Sequence, residues 1–280
     1  MAAPGGKKPG SKPDISSLAG LAIAIGGILG GLILEGGKVT DVAQITAAVI
    51  VLGGTIGAVM LSTPLPVLLS AAKQLSQVFF DRSHGPDGII EQIIALAGKA
   101  RKNGMVSLEN DVDQIDDPFL KKALSLAVDG TDLQELRKMM ELEIALEEQQ
   151  AEAEAKVYEL AGGYAPTVGI IGAVLGLIQV MKHLENIEEV GHGIAVAFVA
   201  TVYGVAAANL FFLPAAGKLK ARAHHSAQTK ELMLEGVGSI VEGMNPKLIL
   251  IKLEAYAHGS AGKTKKEKQR AGAVSQPASA

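Results

Sequence analysis

The sequence predicts an all-α, polytopic membrane protein with four transmembrane helices and a helical cytoplasmic domain. Three observations carry that prediction. Asp, Glu, Lys and Arg are absent from four stretches, Ile15–Leu34, Val42–Ala72, Leu160–Met181 and Val190–Gly217. Each reaches the roughly 20 apolar residues that a helix needs to cross a bilayer. The chain is 48% hydrophobic and 20% charged, so its charges are gathered between the apolar runs instead of being spread over a soluble surface. Buried helices of a large soluble protein would explain one such run, but not four in 280 residues. The third observation is an asymmetry in the flanking charge.

Ile15–Leu34 follows Lys7, Lys8 and Lys12, as a signal peptide would. It is longer than a signal core, however, and Glu35-Gly36-Gly37-Lys38 lacks a small-x-small cleavage pattern, so an uncleaved first span is expected. The short loops Glu35–Asp41 and Lys182–Glu189 are acidic on balance, with one lysine each. The other flanks are basic, with Lys218, Lys220 and Arg222 after the fourth span. The long stretch between spans two and three carries Lys73, Arg82, Lys99, Arg101, Lys102, Lys121 and Lys122. The positive-inside rule puts both termini and that stretch in the cytoplasm.

Between the spans, Ile90, Ile93, Ile94 and Ala97 recur at helical spacing. Thr131-Asp-Leu-Gln134 has the form of a capping box and opens a Glu/Leu/Ala-rich helix with no breaker before Gly162. Asn245-Pro246 marks a turn into a last amphipathic helix, and Lys263–Arg270 begins a disordered basic tail. The expected partition is a tail over 1–14, spans one and two over 15–72, a helical cytoplasmic segment over 73–160, and spans three and four over 161–217. Cytoplasmic helices over 218–258 and the tail over 259–280 complete it.

Without cysteine the chain has no disulfide, thiolate metal site or cysteine nucleophile. A formal charge of −3 gives no footprint for nucleic acid. No nucleophile–base pair, metal cluster or phosphate loop points to an enzyme or a cofactor. Glycines crowd the spans (Gly26, Gly27, Gly30, Gly31; Gly53, Gly54, Gly57; Gly169, Gly172, Gly176), and packing within one chain is the plainer reading of them. Polar residues in the spans are few: Thr167, Gln179, Thr201, Tyr203 and Asn209, with Pro166 and Pro214 free to seat kinks. A pump that titrates its own side chain holds an acid or histidine at membrane depth. These four runs hold no acid, and His183 and His192 stand at their outer edges. Any ion path therefore needs a titrating group from another polypeptide.

Ala161–Ile178 (AGGYAPTVGIIGAVLGLI) and Gly191–Lys220 (GHGIAVAFVATVYGVAAANLFFLPAAGKLK) closely resemble the MotA/TolQ/ExbB proton-channel family. Arg101–Gly130 and Glu235–Leu253 resemble its flagellar stator branch, the MotA type, and the likeness spans nearly the whole chain. The resemblance implies a homopentamer around a MotB-type dimer whose aspartate accepts the proton, and a cytoplasmic segment that engages the rotor's switch protein. It assigns Thr201, Pro166 and Pro214 to the ion path, and Arg101 and Glu109 to the rotor contact, with Lys102 and Asp111 as additions. From spacing alone those charges read as a solvated helix face. Sodium-driven relatives carry hydroxyls where this chain has Ala173 and Ala200. A sodium ion needs several oxygen ligands, so protons are the expected ion. The other readings are an ExbB/TolQ-like energiser of an envelope process and, less well supported, a secondary transporter, which would require internal repeats and broken helices that the sequence lacks.

Overall fold

A computed structural model describes residues 12–81 and 86–256. Lys7, Lys8 and the basic tail over 259–280 lie outside the described residues. Among the described residues, four helices are long and apolar enough to cross a membrane: Ile15–Leu34, Ile45–Ser62, and parts of Leu133–Lys182 and Ile187–Val241. The chain divides into two compact units. Of the described residues, one comprises 12–81 and 149–223, the other 86–148 and 224–256.

The first unit holds the apolar helices. The Asp14 carboxylate accepts the Ser17 N–H at 3.2 Å and so caps the first span. Its far end closes on Gly36 (φ 86°), with Gly36 N–H donating to the Ile33 carbonyl and Gly37 N–H to that of Leu32. That pattern needs a left-handed residue, which only glycine adopts without steric cost. The span buries none of its residues, and a Cβ added at Gly20, Gly26, Gly27, Gly30 or Gly31 would meet nothing within 4 Å. Packing within one chain, expected for these glycines, therefore does not apply to the first span.

The second uncharged run also departs from expectation. Val42–Ala72 is not one helix: it stops at Ser62 and restarts over Leu65–Gln74. Thr63 is extended (φ −133°, ψ 134°) because the Pro64 ring disfavours helical backbone in the residue before it. The restarted helix packs Ala71 among Val59, Tyr158, Ala161 and Leu219. Two side-chain contacts fix it: Tyr158 Oη donates to the Ala71 carbonyl at 2.8 Å, and Ser70 donates to Glu154. Within the second span, Val49–Gly53 forms a π turn, and Thr55 Oγ1 donates to the Val51 carbonyl at 2.6 Å. Among the described residues, the strand pairing is a two-residue antiparallel one of Lys12–Pro13 with Phe80–Asp81.

The second unit is a bundle around Ile93, Leu108, Leu120, Leu124, Leu136, Met140, Met233, Val237, Ile249 and Leu253, all fully buried. Its helices are Pro86–Asn103, Pro118–Val128, the start of Leu133–Lys182, the end of Ile187–Val241, and 246–256. Asp117 caps the second of these through the Phe119 and Leu120 N–H groups, with Pro118 in the first turn, where no N–H is needed. The long helix starts one residue later than the Thr131 box suggests. The cap is Asp132, which accepts from Gln134 and Glu135 N–H at 2.9 and 3.4 Å. Both are good caps, and Asp132 is the one set three residues before an acid, Glu135.

Arg137 donates to Glu235 at 2.9 Å, and Lys252 pairs with the other carboxylate oxygen. Burial alone would push the Glu235 carboxyl up, but these two cations outweigh it and hold the carboxyl below its ordinary value. A lowered native value means that this contribution is complete above the unfolded carboxylate range, near pH 4.5, and is lost as pH falls below it. Arg137→Ala should cost about 1–3 kcal/mol and lower the thermal midpoint of the detergent-solubilised chain. The deficit should shrink below about pH 4, as circular dichroism melts across pH would register.

Candidate functional site

Spans three and four meet along a seam without side chains between their backbones. A Cβ built on Gly169 would lie 2.9 Å from the Ala200 carbonyl oxygen, and one on Gly176 would lie 2.8 Å from that of Gly193. A Cβ on Gly204 would lie 2.5 Å from the Ala165 carbonyl oxygen and 3.2 Å from Pro166 Cα. These obstacles are backbone atoms that cannot rotate away, so each glycine is required by the close approach. The expectation of packing within one chain holds for Gly169, Gly172 and Gly176, and for Gly54, which faces Val168.

This seam brings Pro166 and Thr201 together. Gly169 lies over Thr201 Cα one turn from where Gly204 meets Pro166. Thr201 is half-buried and donates to the Ala197 carbonyl at 3.2 Å, which leaves its oxygen free to accept. Pro166 stands inside the unbroken Leu133–Lys182 helix and has no N–H to offer the carbonyl four residues back. Pro214 is not part of this cluster. It lies thirteen residues beyond Thr201, about 20 Å along the helix at 1.5 Å per residue, and is exposed. Just before it, Ala207–Phe212 forms a second π turn. A proline ring collides with the carbonyl of residue i−4, and the widened turn relieves that collision.

The two alanines differ. Ala200 is 0% exposed and packs with Ala47, Val51 and Val199, whereas Ala173 is half-buried. Ala200 thus belongs to the packing between helices. Tyr203 reaches from the fourth span to the start of the second, where its hydroxyl accepts from Gln44 N–H at 3.3 Å and donates to the Val42 carbonyl at 2.6 Å. Its place among the few polar residues of the spans was the signal for it. One group escaped sequence reasoning. Glu154, before the third apolar run, is only 3% exposed, with Ser70 and Gln150 as its hydrogen-bond donors. Nothing in a Glu-rich helical stretch distinguishes it from its exposed neighbours.

In the second unit, Arg101 and Lys102 occupy the last turn of Pro86–Asn103 and are exposed. The chain reverses at Gly104 (φ 82°), and a 3₁₀ turn over Met105–Leu108 anchored by buried Leu108 leads to exposed Glu109. Arg101, Lys102 and Glu109 make no ion pair among the described residues. Asp111 differs, because Lys99 holds it at 2.6 Å, and Lys121 similarly takes Asp113 at 3.2 Å. At the tip, Val106 is 71% exposed between these charges.

Together these features define a multi-pass membrane subunit whose third and fourth spans are locked backbone to backbone. Residues 111–232 match the MotA/TolQ/ExbB proton channel family and residues 18–104 match the N-terminal region of motility protein A. Motility protein A of Bacillus subtilis is 36% identical over 87% of this chain and 90% of its own length. Chemotaxis protein PomA of Vibrio alginolyticus is 30% identical over 87% of this chain and 95% of its own. Two solved structures share the fold: the MotAB complex of C. jejuni (TM-score 0.83, 33% identity, 87% and 95% of the two chains) and the flagellar MotAB stator complex of Bacillus subtilis (0.80, 36%, 87% and 96%). The chain belongs to the MotA/TolQ/ExbB proton channel family.

Threonine at Ala200 would have to fit a fully buried site packed against Ala47, Val51 and Val199, at a cost of about 1–3 kcal/mol. Ala200→Thr should therefore lower the yield of assembled protein in the membrane, while Ala173→Thr should leave it unchanged, as quantitative blotting of membrane fractions would measure.

Proposed function

We propose that this chain is the stator subunit of a flagellar motor, forming with a MotB-type partner a proton channel that couples ion flow to rotation. The observation that carries this reading is the glycine seam that sets Thr201 within one helical turn of Pro166 in spans that hold no acid. A proton path there needs a carboxylate from outside the chain, and a MotB-type aspartate supplies one. The Thr201 oxygen would then accept from a water or from the protonated carboxyl as the proton passes. Without N–H on Pro166 and Pro214, two helix turns are left weaker than their neighbours, and these are the places where a change of charge on the partner could be turned into movement.

Several copies are expected around that partner, five by the family likeness. The first span, which buries nothing within its own chain, suits a subunit that completes its packing against other copies or lipid. The basic flanks favour an inner-membrane topology with both termini and the second unit in the cytoplasm. There Arg101, Lys102 and Glu109 would face the rotor's switch protein. Asp111, already held by Lys99, would act by keeping the turn in shape. The chain is read as a channel subunit and not a catalyst, with neither metal nor organic cofactor.

Protons are favoured over sodium because Ala173 and Ala200 offer no oxygen to a dehydrated cation. A stator-deleted host given this gene and that of its partner should swim in sodium-free medium and stop when a protonophore is added. Swimming that required sodium would overturn the ion assignment. No rescue of motility by a stably assembled complex would favour the non-flagellar envelope role. Arg101→Glu should sharply reduce torque in a tethered-cell assay while the chain still assembles in the membrane. Loss of assembly would instead make Arg101 a structural residue.

A further inference from the structure

An open groove of about 350 Å³ runs along the first unit between the start of the first span and the end of the fourth. Leu21 and Ala24 line it from the first span, and Leu210 and Phe211 of the π turn, with Pro214, line it from the fourth. At one end the lining becomes polar, with Ser16, Ser17 and Lys218. Lys218 and Arg222 share the Asp14 carboxylate at 2.5 and 2.6 Å, and Arg222 also donates to the Phe80 carbonyl at 2.7 Å. The Lys218 ammonium above all, then the Ser16 hydroxyl, the Ser17 N–H and Arg222, hold Asp14 well below the usual carboxylate range, so it stays charged. Two cations against one anion leave one net positive charge in this cluster, of which Lys218 lines the groove and Arg222 joins it through Asp14.

We propose that this groove is a binding site for an anionic glycerophospholipid, with an acyl chain along Leu21, Ala24, Leu210 and Phe211 and the phosphodiester at Ser16, Ser17 and Lys218. An apolar trough beside membrane-spanning helices that ends in hydroxyls and an ammonium matches a lipid lengthwise. Basic pockets between membrane helices take anionic headgroups for the same reason. An apolar helix from a second copy would bring no counter-charge to the surplus cation of this cluster. The acyl chain would lie against Pro214 and the π turn, the least regular part of the fourth span. Bound lipid would therefore brace that turn, and membrane composition would set how firmly.

The test uses the full chain, purified from the membrane with whatever subunits accompany it and placed in phosphatidylcholine vesicles. These carry a trace of photoactivatable phosphatidylglycerol or, in parallel, photoactivatable phosphatidylcholine. The phosphatidylglycerol probe should label peptides containing Leu21 and Leu210 about fivefold more than its neutral counterpart, the effect of one lysine on an anionic headgroup. Gly20→Leu, at a groove position where an added Cβ meets nothing within 4 Å, should fill the trough and remove that excess. Gly26→Leu, equally unobstructed but outside the groove, should leave it intact. Equal labelling by the two probes, or an excess that survives Gly20→Leu, would overturn the proposal. So would an efficient disulfide between copies through Leu21→Cys and Leu210→Cys, which would assign the groove to a second copy. Labelling needs no ion flow, so a failure here is distinct from a failure of the channel reading.

Discussion

Where the third and fourth spans touch, Gly169, Gly176, Gly193 and Gly204 present bare backbone to the facing helix, and an added Cβ would fall within about 3 Å of a facing atom at each. In lipid no hydrophobic force drives two apolar helices together, so association depends on close packing and on the few polar contacts available. A seam this tight supplies that packing, and it also fixes rotation. With the two backbones in register, Thr201 and Pro166 have little freedom to separate, and Ala200 is confined to the interior beside Val51. The contact that holds the unit together is thus the one that positions its hydroxyl. A larger residue in the seam would disturb stability and site together.

Polar groups are handled differently at each depth. Thr201, Thr55 and Asn209 each return a side-chain donor to the carbonyl four residues back in the same helix, which spares that donor from facing lipid bare. Tyr203 is the exception: it spends its hydroxyl on the backbone leading into the second span, where the helix has not yet begun to satisfy its own groups. Charges appear only past the span ends. There Asp14 serves at once as the cap of the first span and as the shared partner of Lys218 and Arg222.

Much of this was legible in the chain because charge is forbidden where lipid is the solvent. The first span agrees with its uncharged run to the residue, since Asp14 and Gly36 supply unambiguous start and stop signals on either side. The second run misleads for an equally local reason. A charge-free stretch does not reveal that Thr63-Pro64 breaks the helix, although the proline itself gives the warning. Glycine spacing was less informative. The same small residues lie against a neighbouring helix in the third span and against nothing in the first, and only the position of the facing helix separates the two cases. Asp111 and Glu109 look alike in sequence, yet one is held by Lys99 and the other stands clear, because pairing depends on how the chain turns at Gly104.

The fourth span is not uniformly stiff, and the distribution of its constraints follows from these contacts. Between Gly193 and Gly204 it is pinned to the third span backbone to backbone. From Lys218 to Arg222 it is tied through Asp14 to the root of the first span and, through the Phe80 carbonyl, to the short paired strands. Between those anchors lie the π turn over Ala207–Phe212 and Pro214, which cannot donate to the carbonyl of Leu210. A helix yields where its hydrogen-bond ladder is already interrupted, because bending there breaks no further bond. Displacement of the Thr201 end relative to the Arg222 end would therefore be taken up in this one stretch of about ten residues. Pro214 then has a part to play 20 Å or so from Thr201. It need not touch the ion path, since it sets where the helix that carries Thr201 can give way.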